Sequence, residues 1–359
     1  MEKYEQFRQI LDSHPSGAPP SEAFINILRM LFTRDEIDVA LHLGFAPKSA
    51  EEIARASGLA LEDAETLLEA MADKVVINSK TKNGTVMYSL LPTVPGLFEL
   101  PFMKGGGTPM HDRLGSLWVE YNNEIMASSL CGEPTPQMRV IPVRESIEAV
   151  NRIHTCYEID HLIEESDYIA VAHCACRVTG RRCDAPREVC LIFGSLARAV
   201  VARGHARKVS IDEAREILIR SEEAGLVHMS NNSADKPLIV CNCCRCCCHF
   251  FAGLLKLDNP NALAPSPFTA LIRKSDCNAC GLCAETRCPV GAISMEGDGA
   301  KIRIDRCIGC GLCASACPSS AIDLVPRETI PEIPPTLQNM MMTMLTEKGK
   351  LESFMKRIT

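Results

Sequence analysis

Six cysteines fall within the eight positions from 241 to 248, in the stretch CNCCRCCCHF. A free thiol packs well in a core, but one or two suffice for that, so sulfurs this dense point to thiolate ligation of a metal. A second stretch, AHCACRVTGRRCDAPREVC, supplies Cys174, Cys176, Cys183 and Cys190. A third region carries two copies of one pattern, CNACGLCAETRCPVGAI (277–293) and CIGCGLCASACPSSAI (307–322). Each copy reads C-x2-C-x2-C, then a fourth cysteine followed by proline.

That last pattern resembles bacterial-type ferredoxins with two 4Fe–4S clusters, over residues 276–325. In that family three close cysteines hold three irons, and the fourth ligand comes from the other repeat. The resemblance therefore implies one cluster on Cys277, Cys280, Cys283 and Cys317, and another on Cys307, Cys310, Cys313 and Cys288. Gly281 and Gly311 suit a tightly curled ligand loop whose N–H groups point at sulfur. Pro289 and Pro318 turn the chain away, and the apolar residues after them suit short strands. The first copy has four residues before its last cysteine and the second has three, which lengthens one loop without removing a ligand. The competing reading is a pair of zinc knuckles, which also use C-x2-C with four ligands to each zinc; the C-x2-C-x2-C run followed by a Cys-Pro in both copies suits the ferredoxin arrangement instead.

The ten cysteines of the two middle stretches follow no such pattern. Cys174, Cys176, Cys183 and Cys190 have spacings that suit neither a zinc finger nor a cubane. Adjacent side chains of an extended chain point to opposite faces, so Cys243-Cys244 and Cys246-Cys247-Cys248 cannot all serve one compact cube, alongside Cys241, without a bent backbone. Either only some are ligands, or the site holds something larger than a cube, or two sites share the loop. Doubled cysteines resemble those of heterodisulfide-reductase-type subunits, whose long spacings are absent here. The whole arrangement is similar to multi-cluster ferredoxin proteins of anaerobes. A further metal site, expected to be iron–sulfur, follows. His173 and His249 are candidate ligands or ordinary backbone-bonded histidines. Arg177, Arg181, Arg182, Arg187 and Arg245 lie close in sequence to the thiols, where cations would stabilise anionic thiolates. Cys131 and Cys156 fit no ligand pattern and read as buried apolar thiols.

The elements that position these residues give an α+β multidomain chain: an N-terminal winged helix, a central mixed helical Cys-rich domain and a C-terminal ferredoxin-like domain. Residues 1–100 form the winged-helix-like domain. Ser49 and Glu52 make a capping box, ALEDAETLLEAMADK has helical spacing at Ala64, Leu67, Leu68 and Met71, and Asn83-Gly84 suits a hairpin turn. Residues 101–136, with a Gly triplet and prolines, read as a linker. Residues 137–257 form the Cys-rich domain, with LIFGSLARAVVARG as an apolar helical run, a helix capped at Ser210, and KPLIV as a strand. Residues 258–325 form the dicluster domain, and 326–359 a Pro-rich tail and C-terminal helix with a methionine-rich face.

Net charge is −7, and the expected second helix of the winged module carries Glu62, Asp63, Glu65, Glu69 and Asp73. Phosphates would repel it, and Lys80 and Lys82 are too few to compensate. A protein-docking or dimerising role, including a homo-oligomer, is expected instead of nucleic-acid binding. The N-terminal residues lack the apolar region of an export signal and no uninterrupted apolar run is long enough to span a membrane, so a cytoplasmic location is expected. No dinucleotide fingerprint or P-loop is visible. The function expected is electron transfer to or from a partner oxidoreductase. Two alternatives are an oxidoreductase with a catalytic non-standard cluster at 241–248, and a redox-responsive transcriptional regulator.

Overall fold

The computed structural model describes residues 2–143, 159–329 and 332–358, so Cys156 lies outside the described residues. The chain begins with helices α1 (Glu2–Asp12), α2 (Glu22–Leu31) and α3 (Arg34–Ala40). Strand β1 (Lys48–Ser49), helices α4 (Ala50–Ser57) and α5 (Leu61–Asp73), and the hairpin β2 (Ile77–Lys82) and β3 (Thr85–Leu90) follow. The capping box of Ser49 and Glu52 opens α4, and Gly58, at φ 74°, closes it. On α5 the buried face is Ala64, Leu68 and Met71, with Ala72. Asn83 and Gly84 both take positive φ, as a tight two-residue hairpin turn requires. The three strands form an antiparallel sheet in the order β1-β3-β2.

The segment expected to be a linker is largely helical instead. Helices α6 (Pro109–Tyr121) and α7 (Ala127–Cys131) occupy it, joined by a single π turn. Thr108 caps α6 through the backbone of His111, and proline stands at the first helical position, where its missing N–H costs nothing. Trp118 and Tyr121 are fully buried against Phe24 and Phe98. The Gly triplet marks only the loop before this helix; the aromatic residues after it carry the packing.

The middle of the chain is built on a sheet, which the expectation of a mixed helical domain understated. Its elements are β4 (Met138–Ile141), α8 (Ile159–Glu164), β5 (Ile169–His173), α9 (Ala175–Gly180), β6 (Glu188–Phe193), α10 (Gly194–Ala202), β7 (Arg207–Val209), α11 (Ile211–Glu223), β8 (Val227–Asn231), β9 (Ile239–Cys243) and α12 (His249–Lys256). Six strands pair antiparallel in the order β4-β8-β9-β6-β5-β7. The run read as one helix from Leu191 is a strand to Phe193 and a helix from Gly194. Val189, Ile192 and Phe193 favour the pleated conformation, and Gly194 breaks the run at φ 60°.

Strands β10 (Phe268–Ile272), β11 (Ile293–Glu296), β12 (Gly299–Ile302) and β13 (Ile322–Pro326), with the short helix α13 (Leu312–Ser315), complete the C-terminal module. Here β10 pairs β13 and β11 pairs β12. The tail forms two helices, α14 (Leu337–Glu347) and α15 (Leu351–Ile358). They return to the N-terminal residues: Lys348 Nζ donates to the carbonyls of Pro15 (2.6 Å) and Ser129 (2.7 Å), and Phe354 stacks on Phe45.

One apolar core runs from Phe7 through Trp118 to Cys243, Cys248, Cys310 and Leu312. It therefore joins the N-terminal helices, the cysteine loops and the C-terminal module. No helix among the described residues is long and apolar enough to cross a membrane.

Candidate metal centres

The sheet register brings the two middle cysteine stretches together. Strand β6 pairs β9 with Leu191 opposite Val240, which sets Cys190 beside Cys241 one step further along. Cys241 and Cys243 stand two apart on β9 and so share a face. Strand β5 runs into Cys174, and the short helix α9 then supplies Cys176 and Arg177. Cys248 precedes α12. These six thiols form a closed ring of neighbours, in the order Cys174, Cys176, Cys248, Cys243, Cys241, Cys190.

Their acidities alternate around the ring. The Cys176 thiol holds Cys174 and Cys248 well below the usual thiol range, and Cys190 pulls Cys241 down to about 5. Conversely Cys174 raises Cys176 and Cys190, and Cys241 raises Cys243.

The remaining four middle cysteines gather separately. The Sγ atoms of Cys183, Cys244, Cys246 and Cys247 all lie within 4.8 Å of one another. Of the arrangements left open by the sequence, the structure has two groups sharing one loop: Cys241, Cys243 and Cys248 turn one way, and Cys244, Cys246 and Cys247 the other. Residues 245–247 form a turn, which lets the neighbours Cys246 and Cys247 face the same point.

Arg177 lies between the two groups and is fully buried. Its Nη1 donates to the carbonyl of Asn242 at 2.8 Å, while Nε and Nη2 have no protein partner. Burial opposes its charge, but the thiols of Cys174, Cys190, Cys244 and Cys243 outweigh that and raise its pKa. A guanidinium cannot shed its proton in a protein, so it demands an anionic neighbour here. The other four arginines are exposed. Arg182 reaches the Cys246 carbonyl at 3.3 Å, Arg181 pairs with Asp112, and the Arg187 carbonyl receives the Cys174 N–H. His249 is buried against Phe98, ring centroids 4.4 Å apart, and burial drops its pKa to about 4. It lines a hollow of about 290 Å³ with Cys176, Cys248, Asn122, Thr179 and Arg182. The ring of His173 stands beside Gly105, and its Nδ1 has no partner. Cys131 is a buried thiol facing Gly253, and burial pushes it up to about 12.

Sequence reasoning passed over Asn242, set between Cys241 and Cys243. Its side chain bonds the Val189 carbonyl (2.5 Å) and His228 Nδ1 (2.5 Å), and His228 Nε2 meets Glu222 Oε1 at 2.9 Å. A polar residue flanked by two thiols on a buried strand was the available signal.

In the C-terminal module Cys277, Cys280, Cys283 and Cys317 line one hollow, and Cys288, Cys307, Cys310 and Cys313 another, each of about 330 Å³. Neither lining contains a carboxylate or histidine. The N–H groups of Ala292 and Ala321 donate to Cys288 Sγ (3.1 Å) and Cys317 Sγ (3.3 Å), equivalent bonds in the two repeats. Gly281 and Gly311 take φ of 78° and 82°, which a side chain would resist. The extra residue of the first repeat is absorbed by a π turn, Cys283–Arg287, where the second repeat has the α turn Leu312–Ser315. Arg287 then ties this module to α11, donating to the carbonyls of Glu222 and Glu223, both at 3.0 Å.

Residues 276–321 match the family model of the 4Fe-4S dicluster domain. No curated protein and no solved structure matches the chain. The C-terminal segment is thus a ferredoxin-like module of the 4Fe–4S-binding kind, in a chain of mixed helix and sheet.

Proposed function

We propose that this chain is a multi-cluster iron–sulfur electron carrier that exchanges electrons with a partner oxidoreductase. Cys277, Cys280, Cys283 and Cys317 would hold one 4Fe–4S cluster, and Cys307, Cys310, Cys313 and Cys288 the other. The six-thiol ring would hold a further polynuclear cluster. When bound, such clusters accept and release single electrons. The donor sets suit them: all-thiolate linings, N–H groups on sulfur, and a buried guanidinium whose free N–H groups need an anionic neighbour.

The observation that carries the reading is the shared core. Cys310 of the inner ferredoxin-like set packs in the same apolar core as Cys243 and Cys248 of the ring, with Cys288, Cys307, Cys176 and Cys241 against it. Cys280, by contrast, is exposed. The outer set therefore suits contact with a partner protein, and the inner set suits exchange with the middle of the chain. Stopped-flow reduction by a protein donor such as reduced flavodoxin tests this. Cys280→Ser should slow reduction of the middle centre at least tenfold; an unchanged rate would contradict the relay.

The N-terminal 100 residues are read as a winged-helix-like module that docks a protein, in the chain or outside it. Its acidic α5 already meets a cation of the same chain: Arg203 lies 2.5 Å from Asp73 and 3.6 Å from Glu69. This supports docking over DNA recognition and argues against the regulator. Thiolate ligands in this number suit a reducing compartment, and the cytoplasm of an anaerobe is the setting in which such clusters persist.

A second reading, an oxidoreductase, draws on the polar hollow beside Cys176 and Cys248. Asn122 is buried there with its Oδ1 unpartnered. Cyanide added to the reduced protein separates the two. A changed EPR signal from the middle centre alone favours the enzyme, and no change favours the carrier.

A further inference from the structure

The four thiols of Cys183, Cys244, Cys246 and Cys247 differ in kind from the other cysteine groups among the described residues. Among the described residues they are the only set of three or more potential ligands whose atoms all come within 4.8 Å of one another. Two of the separations, Cys183 to Cys244 and Cys246 to Cys247, are 3.7 Å. Four sulfurs about 2.3 Å from a single tetrahedral ion stand about 3.8 Å apart. The thiols are therefore already set for one ion.

The contrast within the molecule sharpens this. The cysteines lining each hollow of the 4Fe–4S dicluster module are not gathered within 4.8 Å of one another, as suits a cube that places its terminal thiolates on separate irons. The six-thiol ring is likewise open.

We propose that Cys183, Cys244, Cys246 and Cys247 bind a single tetrahedral metal ion, zinc or iron, without sulfide. A thiolate tetrad around one divalent ion carries a net double negative charge. Arg177, fully buried with Nε and Nη2 unpartnered and adjacent to Cys244, provides the compensating cation. The backbone N–H groups of Arg182 and Cys247 are turned toward the sulfurs of Cys247 and Cys244. Gly180 leaves the approach clear: a Cβ there would lie 3.3 Å from Cys247 Sγ. The ion pins the irregular loop carrying Cys183 onto the turn at 245–247. The inference rests on metal binding by the middle of the chain, and not on the nature of the centre in the ring.

The test is metal and acid-labile sulfide analysis of anaerobically purified full-length protein, unaltered and with Cys183→Ser and Cys246→Ser combined. The expected result is loss of one zinc or iron per chain, with sulfide and the cluster EPR signals unchanged. Loss of iron together with sulfide would overturn the proposal, as would no loss of metal. Failure of the ring to hold a cluster leaves this readout intact, since it would appear as missing sulfide in the unaltered protein. If the variant does not fold, the unaltered protein decides. Zinc-edge X-ray absorption should show four sulfurs at about 2.3 Å, or Mössbauer spectra a mononuclear high-spin iron component; the absence of both refutes the site.

Discussion

Replacing Arg177 by methionine removes the buried charge between the two thiol groups while keeping most of the side chain's volume. The guanidinium is fully buried, so solvent screens it little. At a separation of about 5 Å and an effective dielectric constant of about 20, a unit charge interacts with an added electron by about 3 kcal/mol. For a one-electron couple, where a tenfold change in equilibrium is about 59 mV, this corresponds to roughly 0.1 V. The sign follows from charge: the cation favours the reduced, more negative state, so its loss lowers the potential. Redox titration followed by EPR should show the middle-centre signal shifted down by that order, with the ferredoxin-like signals in place. An unmoved middle signal would refute the placement of Arg177 against an anionic centre, and an equal shift of all signals would refute its local action.

Replacing Cys317 by serine should cost about four irons and abolish the signal of the cluster assigned to Cys277, Cys280 and Cys283; damage confined to the Cys307 group would contradict the crossed ligand sets. His14 is buried between Phe45 and Phe354, and burial, with Lys348 nearby, drops its pKa to about 3. The unfolded chain therefore takes up a proton below about pH 6.5 that the folded chain refuses, and stability is lost as pH falls. Between pH 7 and 5 the loss through this residue is about 2 kcal/mol, so urea unfolding of a His14→Asn variant should show that much less acid sensitivity; equal sensitivity would refute it. The acidic α5 predicts no salt-sensitive binding of duplex DNA, and a tight low-salt complex in a gel shift would restore the regulator.

Local chemistry was legible in the sequence where residues act on their near neighbours. The Ser49–Glu52 box, the Asn83-Gly84 turn, the Ser210 cap and the ligand-loop glycines all depend on contacts within a few positions. The strand-forming run at 188–193 was hidden because Leu191 to Ala202 is mostly apolar, interrupted only at Gly194, Ser195 and Arg198, and a nearly continuous apolar stretch does not reveal its period. Helix α6 was masked by the glycines before it, since its stability comes from Trp118 and Tyr121 packing on Phe24, far away in sequence. The division of the ten middle thiols needed the register of β6 against β9, which pairs Cys190 with Cys241 across fifty residues. The alternation of adjacent cysteines limited the options to three, but only the turn at 245–247 selected one.

The central claim is that the middle of the chain holds an iron–sulfur centre in addition to the ferredoxin-like pair. Iron and acid-labile sulfide counted on anaerobically prepared protein test it most directly, beside a variant with Cys174, Cys190 and Cys241 all changed to serine. Sulfide in the unaltered protein should exceed the roughly eight that two 4Fe–4S clusters contain and should fall to that value in the variant. About eight sulfides in both would contradict the account.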